Sequence, residues 1–264
     1  MTQDLLVLTK ENGVATITLN RPDKFNAMTT EMWRRFPELI QEVNHDHSVK
    51  VLILTGAGKA FCSGSDAGRL ASQIAGGKIE KTARELTTPL GVEVLHLARL
   101  QVPTIAAING VAAAAGISLA LACDIRIASE QARFVLVWAK MGLIPDGGAT
   151  YFLTRLLGPS KALELAITGR SIDAAEAERI GLVNRVVPHD ELLAVAKELA
   201  TTVAEGPSIA FEFMKKGIYR ALTHDLESQL DFESYAQGIC RQTEDHHEGV
   251  EAFMQKRKPE FRGK

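Results

Sequence analysis

The sequence predicts an α/β fold with a helical C-terminal part. Before Pro159, short aliphatic and β-branched runs alternate with helical patterns, which indicates strands joined by crossover connections. From Pro159 onward the periodicity is that of helices, interrupted by one short strand at residues 182–187. Apolar residues make up 46% of the chain and charged residues 23%, which is the balance of an ordinary globular protein.

The chain opens with a predicted hairpin. Residues 5–8 and 14–19 are rich in β-forming residues, and Asn12-Gly13 lies between them. The dipeptide Asn-Gly is the strongest short-range signal for a hairpin turn. The first two strands are therefore expected to pair antiparallel.

The remaining elements follow from hydrophobic periodicity. A helix begins at a cap formed by Thr29 or Thr30 and runs through Asn44, and Pro37 predicts a kink or restart within it. Four more strands are predicted before Pro159, at residues 51–54, 104–108, 125–128 and 134–137. A helix of small residues ends near residue 121, and others are predicted at residues 79–100, 190–204, 207–222, 226–240 and 244–256. We expect residues 1–200 to form the α/β core and residues 201–264 to form a helical subdomain.

Charge and cysteine content exclude several classes of protein. The net charge is −2, from 30 Lys and Arg against 32 Asp and Glu, so the electrostatic footprint of a nucleic-acid-binding protein is missing. Three widely spaced cysteines (Cys62, Cys123 and Cys240) form no CxxC pair, which argues against a disulfide framework and a zinc site. The N-terminal residues do not resemble a secretory signal, so a cytoplasmic location is expected.

One uncharged segment, residues 102–123, is close to the length that crosses a bilayer. Pro103 opens this segment, Asn109-Gly110 interrupts it and Asp124 ends it. A buried strand, a tight turn and a buried helix account for it better than a membrane span. No membrane association is predicted.

Two glycine- and alanine-rich segments carry the chemical information. In residues 60–66, Gly64 follows a buried strand and can turn a backbone N–H into a cleft, although an ordinary strand-to-helix turn has the same composition. In residues 105–116, five small residues open a helix whose free N-terminal amides favour negative charge. Tight packing of a helix on a strand also requires small residues, so each segment alone leaves both interpretations open.

Together, in this order, the two segments resemble the crotonase family of enoyl-CoA hydratases and isomerases. The resemblance extends over nearly the whole chain and includes these further segments: residues 18–22 with Asn26-Ala27, the Gly142-Leu143-Ile144-Pro145 run, Thr168-Gly169, residues 175–177, Gly181-Leu182-Val183 and the tail from Lys256 to Pro259. It implies a crotonase-type spiral of ββα units with a C-terminal helical subdomain. It also implies an acyl-CoA thioester substrate, no permanently bound cofactor and no metal. A homotrimer or a dimer of trimers is expected, with the helical subdomain as the interface.

The resemblance assigns the oxyanion hole to two backbone amides, those of Ser65 and Ala115. Family members often have glycine at the second position, and alanine adds a methyl group that can crowd the acyl pocket. Two such donors stabilise the enolate that forms when the α-carbon of the thioester loses a proton.

The resemblance also implies where coenzyme A binds. The ligand is expected across segment 24–27, with Lys24 and Ala27, and segment 63–66, with Ser63, Gly64 and Asp66. Phe253 and Lys256 of the last helix would approach the nucleotide, from the same or a neighbouring subunit. Lys256, Arg257 and Lys258 are suited to a phosphate, although a solvated basic tail remains an alternative.

The active-site carboxylates depart from the hydratase pattern. Family hydratases deliver water with two glutamates, and the matching positions here are Ser118 and Trp138. One carboxylate remains nearby, Asp146, at a position where several family members that shift double bonds carry an aspartate. Leu143 and Ile144 are expected to build an apolar wall beside it together with Trp138. Pro-Asp-Gly is also ideal turn chemistry, so a turn or cap role is the alternative.

Three hypotheses follow, and the first is preferred. In the first, Asp146 moves a proton between two carbons of an enoyl-CoA, as in the aspartate-bearing isomerase branch. In the second, a hydratase uses a different acid or base. In the third, the chain is a non-catalytic acyl-CoA binder or an RNA-binding relative.

A 4-chlorobenzoyl-CoA dehalogenase-like reaction is a minority interpretation. Trp138 and Asp146 both fit that branch of the family. It also needs a histidine where this sequence has Gly91, and His96, five residues further on, points elsewhere on a helix.

Overall fold

The computed structural model describes residues 4–66, 68 and 89–264. Strands β1 (Leu6–Glu11) and β2 (Val14–Leu19) form an antiparallel hairpin. The two residues between them, Asn12 and Gly13, have φ angles of 50° and 79°. Positive φ at both central residues is what a type I′ turn requires, and its twist matches that of the strands. The hairpin prediction is confirmed.

The larger of two sheets has six strands in the order β1-β2-β3-β5-β7-β10. Its remaining members are β3 (Val51–Gly56), β5 (Thr104–Ile108), β7 (Ile125–Ser129) and β10 (Arg185–Val187). Every pair beyond the hairpin is parallel. Since parallel neighbours cannot be joined by tight turns, the chain must cross over between them, as the alternating pattern predicts.

The smaller sheet has four strands in the order β4-β6-β8-β9. They are β4 (Ala60–Cys62), β6 (Val111–Ala113), β8 (Arg133–Val135) and β9 (Ser171–Asp173). Strands β4, β6 and β8 are parallel, and each comes directly after a strand of the larger sheet. The chain therefore contributes one strand to each sheet and then a helix, which is the predicted spiral of ββα units.

Six helices pack around these sheets in the described part of the chain. They are α1 (Thr30–His45), α2 (Pro89–Ala98), α3 (Ala115–Ala122), α4 (Ala149–Thr168), α5 (Ala174–Arg179) and α6 (Leu192–Ala204). The Thr29 hydroxyl accepts a hydrogen bond from Met32 N at 3.1 Å and caps α1. Helix α1 is continuous through Pro37, so the predicted restart is wrong. Helix α4 does break, at Gly158, where φ is 75° and ψ is 160°.

Some predicted boundaries differ from the structure. Of the helix predicted at residues 79–100, residues 89–98 are helical and residues 79–88 lie outside the described part. The strand predicted at 134–137 ends at Val135, and a 3-10 helix (Val137–Met141) follows and carries Trp138. The uncharged segment at 102–123 forms β5, β6 and α3. In the described part of the chain, no helix combines the length and the hydropathy that a membrane span needs.

Helix α6 covers one face of the larger sheet. Leu192, Ala196 and Ala200 recur every four residues along one side of this helix, and all three pack on apolar residues of β3 and β5, such as Ile53 and Ile105. The helix runs through Ala204 and so crosses the predicted division between residues 200 and 201. That division stays a prediction.

The last three helices are α7 (Ser208–Arg220), α8 (Leu226–Cys240) and α9 (Glu244–Gln255). Lys215 of α7 joins them to the core, because its Nζ lies 2.7 Å from Asp124 Oδ2 and 3.1 Å from Val102 O. The same carboxylate oxygen accepts hydrogen bonds from the Thr104 backbone N–H and hydroxyl. Burial, followed by the nearby Asp124 carboxylate, raises the pKa of Tyr219 on the same helix.

Replacing Lys215 with methionine is expected to destabilise the protein by about 3 kcal/mol, because it leaves the Asp124 carboxylate without its cation. The two side chains are only 9% and 15% exposed, so water replaces little of the lost attraction. Lys216→Met is the matched control: Lys216 pairs with Glu212 on the surface and is 48% exposed, so a loss below about 1 kcal/mol is expected. Denaturant titrations at one protein concentration measure both. Equal losses in the two variants would contradict the expected role of the Lys215–Asp124 pair.

Candidate active site

The two segments predicted to bind coenzyme A lie side by side. The Ser63 N–H donates to Phe25 O at 2.9 Å, and the Met28 N–H donates to Gly64 O at 2.8 Å. The Asp66 N–H in turn donates to Met28 O at 3.0 Å. Lys24 is exposed and Ala27 is nearly buried. Segments 24–27 and 63–66, separated in sequence by a helix and two strands, therefore form one continuous backbone surface.

Arg21 holds these two segments together. Its Nη1 donates to Ala27 O at 2.6 Å and to Asp66 Oδ2 at 3.0 Å. Asn26, fully buried with φ of 56°, donates from its side chain to Ala57 O and Ala60 O. Sequence reasoning missed the role of Arg21, since an arginine at the end of a strand looks like any surface cation. Asp66 is thus fixed by an ion pair within the chain.

The predicted oxyanion-hole residues follow the carboxyl ends of two adjacent parallel strands, β4 and β6. Gly64 has φ of 101°, and a Cβ added to it would lie 3.6 Å from Ala115 N and 3.2 Å from Ala113 O. Gly116 lies directly against β4, because a Cβ added there would lie 2.1 Å from Cys62 O. The two segments, distant in sequence, therefore converge.

Both predicted donor amides are available. Met28 and Ser65 form an isolated parallel β-bridge. Its two hydrogen bonds use Gly64 O and Asp66 N, so the Ser65 N–H takes no part in it. Ala115 is the first residue of α3, where a helix has no internal acceptor for the N–H. Neither N–H donates a backbone hydrogen bond to another described residue. Two unpaired donors at one edge of the smaller sheet can bind an oxygen that gains negative charge.

The residue before the second amide is conformationally strained. Ala114 has φ of 46° and ψ of −122°, a conformation that glycine adopts freely and that is costly for an L side chain. From the sequence, the methyl group of Ala115 was predicted to crowd the acyl pocket. The unusual backbone conformation of the preceding residue, Ala114, was not predicted. Residues held in such conformations are concentrated at functional sites.

Ala114→Gly is expected to stabilise the protein by about 1 kcal/mol. Relief of the strained backbone, of order 1–3 kcal/mol, exceeds the roughly 0.4–1 kcal/mol that glycine loses through greater freedom of the unfolded chain. The shift of the denaturant midpoint measures this difference. A destabilised A114G variant would show that the Ala114 methyl group contributes more through packing than its backbone costs.

Asp146 is brought next to Trp138, as predicted for the site. The Trp138 indole Nε1–H donates to Asp146 Oδ1 at 2.9 Å, and Trp138 is 3% exposed. No other hydrogen bond to the carboxylate from a described residue is found, so Oδ2 stays available. Because an indole N–H can only donate, Oδ1 must accept, and a proton on this carboxyl group belongs on Oδ2.

The apolar wall expected around Asp146 is not present in the described part of the chain. Leu143 and Ile144 are 54% and 77% exposed, and Asp146 itself is exposed. Leu143 and Ile144 lie in the connection between the 3-10 helix of Trp138 and α4. Trp138 alone of the three predicted wall residues is buried.

Ser118 contributes in a way that sequence reasoning missed. This side chain is fully buried, and its hydroxyl donates to the main-chain oxygen of Asp146 at 2.9 Å. Its spacing of three residues from Ala115 was a signal, since residues i and i+3 of a helix share a face. The sequence comparison treated it only as a replacement for glutamate.

Cys62, at the end of β4, is fully buried, which disfavours the thiolate form that a nucleophile needs. Burial raises the pKa of its thiol to about 12, even though the Gly64 N–H lies 3.4 Å from the sulfur. A thiol with such a pKa stays protonated near neutral pH and reacts slowly. No group of three or more potential metal ligands of the His, Cys, Asp and Glu types is found among the described residues.

Phe253 lies on the last helix, and Lys256 is its C-terminal cap residue. Phe253 is 82% exposed and lines a groove of about 960 Å³ between α7, α8 and α9. Within the described ranges, no hydrogen bond or ion pair links either residue to segments 24–27 and 63–66. Arg257 pairs with Glu248, lowering the pKa of that carboxyl group to about 2, and Lys258 pairs with Glu205. Lys256 has no ion pair with a described residue.

Gly91, the position at which a dehalogenase-like site needs histidine, is exposed on α2. A Cβ added to it would meet no atom within 4 Å. His96 lies on the same helix and is half-buried. The Trp138–Asp146 contact is present without an imidazole at position 91.

Comparison with known proteins shows what the whole chain is similar to. The family model described as enoyl-CoA hydratase/isomerase matches residues 9–264. A 1,2-epoxyphenylacetyl-CoA isomerase of Escherichia coli K12 is 39% identical, over 96% of this chain and 97% of its own. A short-chain-enoyl-CoA hydratase of Clostridium acetobutylicum is also 39% identical, over 97% and 96%. The crystal structure of an enoyl-CoA hydratase from Bacillus anthracis superimposes with a TM-score of 0.92 at 35% identity, covering 99% of this chain and 100% of that one.

Proposed function

The chain belongs to the enoyl-CoA hydratase/isomerase family, and from this premise we propose that it is an enoyl-CoA isomerase with Asp146 as its acid/base. The observation that carries the proposal is the Trp138–Asp146 hydrogen bond, together with two amides that donate no backbone hydrogen bond to a described residue. The positions of the two hydratase glutamates are occupied by Ser118 and by Trp138 itself, and neither side chain can act as a carboxylate base. One carboxylate is enough when the same proton leaves one carbon and returns to another.

The proposed reaction balances without water. Asp146 Oδ2 takes a proton from C2 of a 3-enoyl-CoA, and the C–H electrons move into a dienolate whose oxygen carries the charge. The N–H groups of Ser65 and Ala115 hold that oxygen, and the N-terminal end of α3 adds a favourable dipole. The same proton then returns to C4, the double bond becomes conjugated with the thioester, and Asp146 is ionised again.

Coenzyme A is proposed to lie on the surface formed by segments 24–27 and 63–66. This surface is proposed to be lined by Lys24, Ala27, Ser63, Gly64 and Asp66. Asp66 would contact the ligand while its carboxylate stays paired with Arg21. The thioester end then reaches Ser65 and the start of α3. Coenzyme A is carried as part of the substrate, and the proposal needs no permanently bound cofactor.

A homotrimer, alone or paired into a dimer of trimers, is proposed as the assembly. Large apolar side chains are exposed along the last three helices, among them Met214, Ile218, Leu226, Phe253 and Met254 at 57–82%. Exposed apolar patches of this kind mark interaction surfaces. A neighbouring subunit on this face would also allow Phe253 and Lys256 to reach the nucleotide of an adjacent site. The location is proposed to be cytoplasmic.

The relatives supply the competing candidates. The similarity to a 1,2-epoxyphenylacetyl-CoA isomerase favours an aromatic-derived epoxide as a second candidate substrate. The similarity to a short-chain-enoyl-CoA hydratase favours hydration, although neither glutamate position holds a carboxylate. The Trp138–Asp146 contact fits a dehalogenase, and the missing imidazole at Gly91 opposes it.

The test is to incubate the protein separately with 2-enoyl-CoA, 3-enoyl-CoA and the epoxide, following the absorbance of the conjugated thioester. Growth of this absorbance from 3-enoyl-CoA supports the proposal. Loss of the chromophore from 2-enoyl-CoA would favour hydration instead. Consumption of the epoxide alone would favour the second substrate, and tight CoA binding without turnover would leave an acyl-CoA binder.

A further inference from the structure

The buried hydroxyl of Ser118 connects two elements of the site. Serines inside helices commonly bond back to a carbonyl of their own helix, or face solvent. Ser118 does neither, since it is fully buried and donates at 2.9 Å to Asp146 O, twenty-eight residues along the chain. The bond therefore joins α3 to the loop that carries the acid/base carboxylate.

Helix α3 also supplies the second oxyanion donor. Ala115 is its first residue, and Ser118 lies three residues further, about 4.5 Å along the axis and near the same face. A helix is rigid over one turn, so the position of the Ser118 hydroxyl is fixed relative to the Ala115 N–H. The hydrogen bond from Ser118 to Asp146 O therefore also restricts the distance between the Asp146 main chain and the Ala115 N–H.

The Asp146 loop needs such an anchor. Gly147 and Gly148 follow it with φ of 55° and 77°, and glycines allow the backbone many other conformations. Asp146 O accepts a second hydrogen bond from the Ala149 N–H at 3.0 Å, but this bond is local to the start of α4. Trp138 holds the side chain of Asp146 and leaves its main chain free. In the described part of the site, Ser118 is the contact that ties this main chain to the oxyanion helix.

We propose that Ser118 is a positioning residue that sets the distance between the Asp146 carboxylate and the oxyanion hole. This inference rests on the proposed function of Asp146. Ser118 touches no reacting atom, and its effect passes through the main chain of Asp146. A carboxylate displaced by about 1 Å from its proton-transfer position can lose up to roughly 100-fold in rate.

The test uses Ser118→Ala with Ser129→Ala as matched control. Ser129, the last residue of β7 in the larger sheet, is also fully buried, and its hydroxyl hydrogen-bonds to His189 Nδ1 at 2.9 Å. Both variants lose the same atom and a hydrogen bond, and S129A also loses the bond that the Gln131 N–H donates to the Ser129 hydroxyl at 3.1 Å. For S118A we expect kcat for 3-enoyl-CoA to fall by about 10- to 100-fold with little change in KM, and for S129A we expect wild-type kcat.

A second readout does not depend on turnover. With 5-fluorotryptophan incorporated, the two tryptophans give two fluorine NMR signals, and Trp33→Phe assigns them. The Trp138 signal is expected to shift in S118A, because the carboxylate moves away from its indole, and to stay in place in S129A. Ser118→Cys, similar in size with a weaker donor, replaces S118A if that variant does not fold.

The outcomes separate the two levels of the proposal. An S118A variant with wild-type kcat and an unmoved Trp138 signal overturns the positioning role, while an inactive Asp146→Asn variant would leave the proposed function standing. Equal losses of kcat in S118A and S129A overturn the positioning role as well. Wild-type turnover in Asp146→Asn removes the proposed function and with it the positioning role.

Discussion

Asp146→Asn is expected to lower kcat for isomerisation of a 3-enoyl-CoA by about 10³-fold or more. The amide keeps the size of the carboxylate, and its oxygen can still accept the hydrogen bond from Trp138 Nε1. It cannot take up the C2 proton, so the contribution of general acid–base catalysis, roughly 10²–10⁴-fold, is lost. Steady-state kinetics with the absorbance of the conjugated product measure the effect.

The control for this variant is binding. The Asp146 side chain bonds to no described residue except Trp138, so D146N is expected to fold with wild-type stability and to bind CoA with unchanged affinity. Calorimetry of CoA binding and a thermal melt establish both. A D146N enzyme whose kcat remained within a few-fold of wild type would falsify the acid/base role and return Asp146 to the alternative of a turn residue.

Ser65→Pro is expected to lower kcat by about 10²–10³-fold, since proline deletes the N–H of the first oxyanion donor. Two features of this position suit proline. The Ser65 N–H makes no backbone bond to a described residue, and the preceding residue is Gly64, which has no Cβ to clash with the ring. The flanking bonds, Met28 N to Gly64 O and Asp66 N to Met28 O, do not use the lost donor.

Ser65→Ala is the matched variant, because it removes the hydroxyl and keeps the N–H. We expect it to lose no more than a few-fold in kcat. The affinity for CoA, measured by calorimetry, separates a lost oxyanion donor from a blocked cleft: the first lowers kcat alone, and the second weakens binding as well. Similar kcat values in S65P and S65A would show that the amide of Ser65 does not hold the thioester oxygen.

The local elements were largely predictable because their signals are local. Asn12-Gly13 predicted the hairpin turn, since few residues adopt positive φ at two successive positions without cost. Helix α8 runs over Leu226–Cys240, the range that its periodicity predicts. Pro37 does not restart the helix, and the kink predicted as the alternative stays a prediction. Helix α1 is held by six buried side chains, which outweigh the lost backbone hydrogen bond.

The candidate site was predictable only in part. The addresses of the amides, Ser65 and Ala115, came from motif resemblance, and the structure shows both N–H groups without a backbone partner in the described part of the chain. The roles of Arg21 and Ser118 depend on partners 45 and 28 residues away, which no periodicity encodes. The exposure of Leu143 and Ile144 was missed for a similar reason. Apolar residues in a loop are buried only where other parts of the chain pack against them, and the sequence does not show where that happens.

The sequence by itself determined the alternation of strands and helices, the absence of the hydratase glutamates and the presence of Asp146 as a candidate acid/base. The first of these features depends on short-range spacing, and the other two depend on residue identity at positions that the family resemblance implies. Only the tertiary structure decided that Gly64 lies against Ala115, that Ala114 adopts a conformation suited to glycine, and that Trp138 and Ser118 both hold Asp146. The physical reason is that parallel pairing of β4 with β6 aligns their carboxyl ends, and such alignment arises from packing the whole chain.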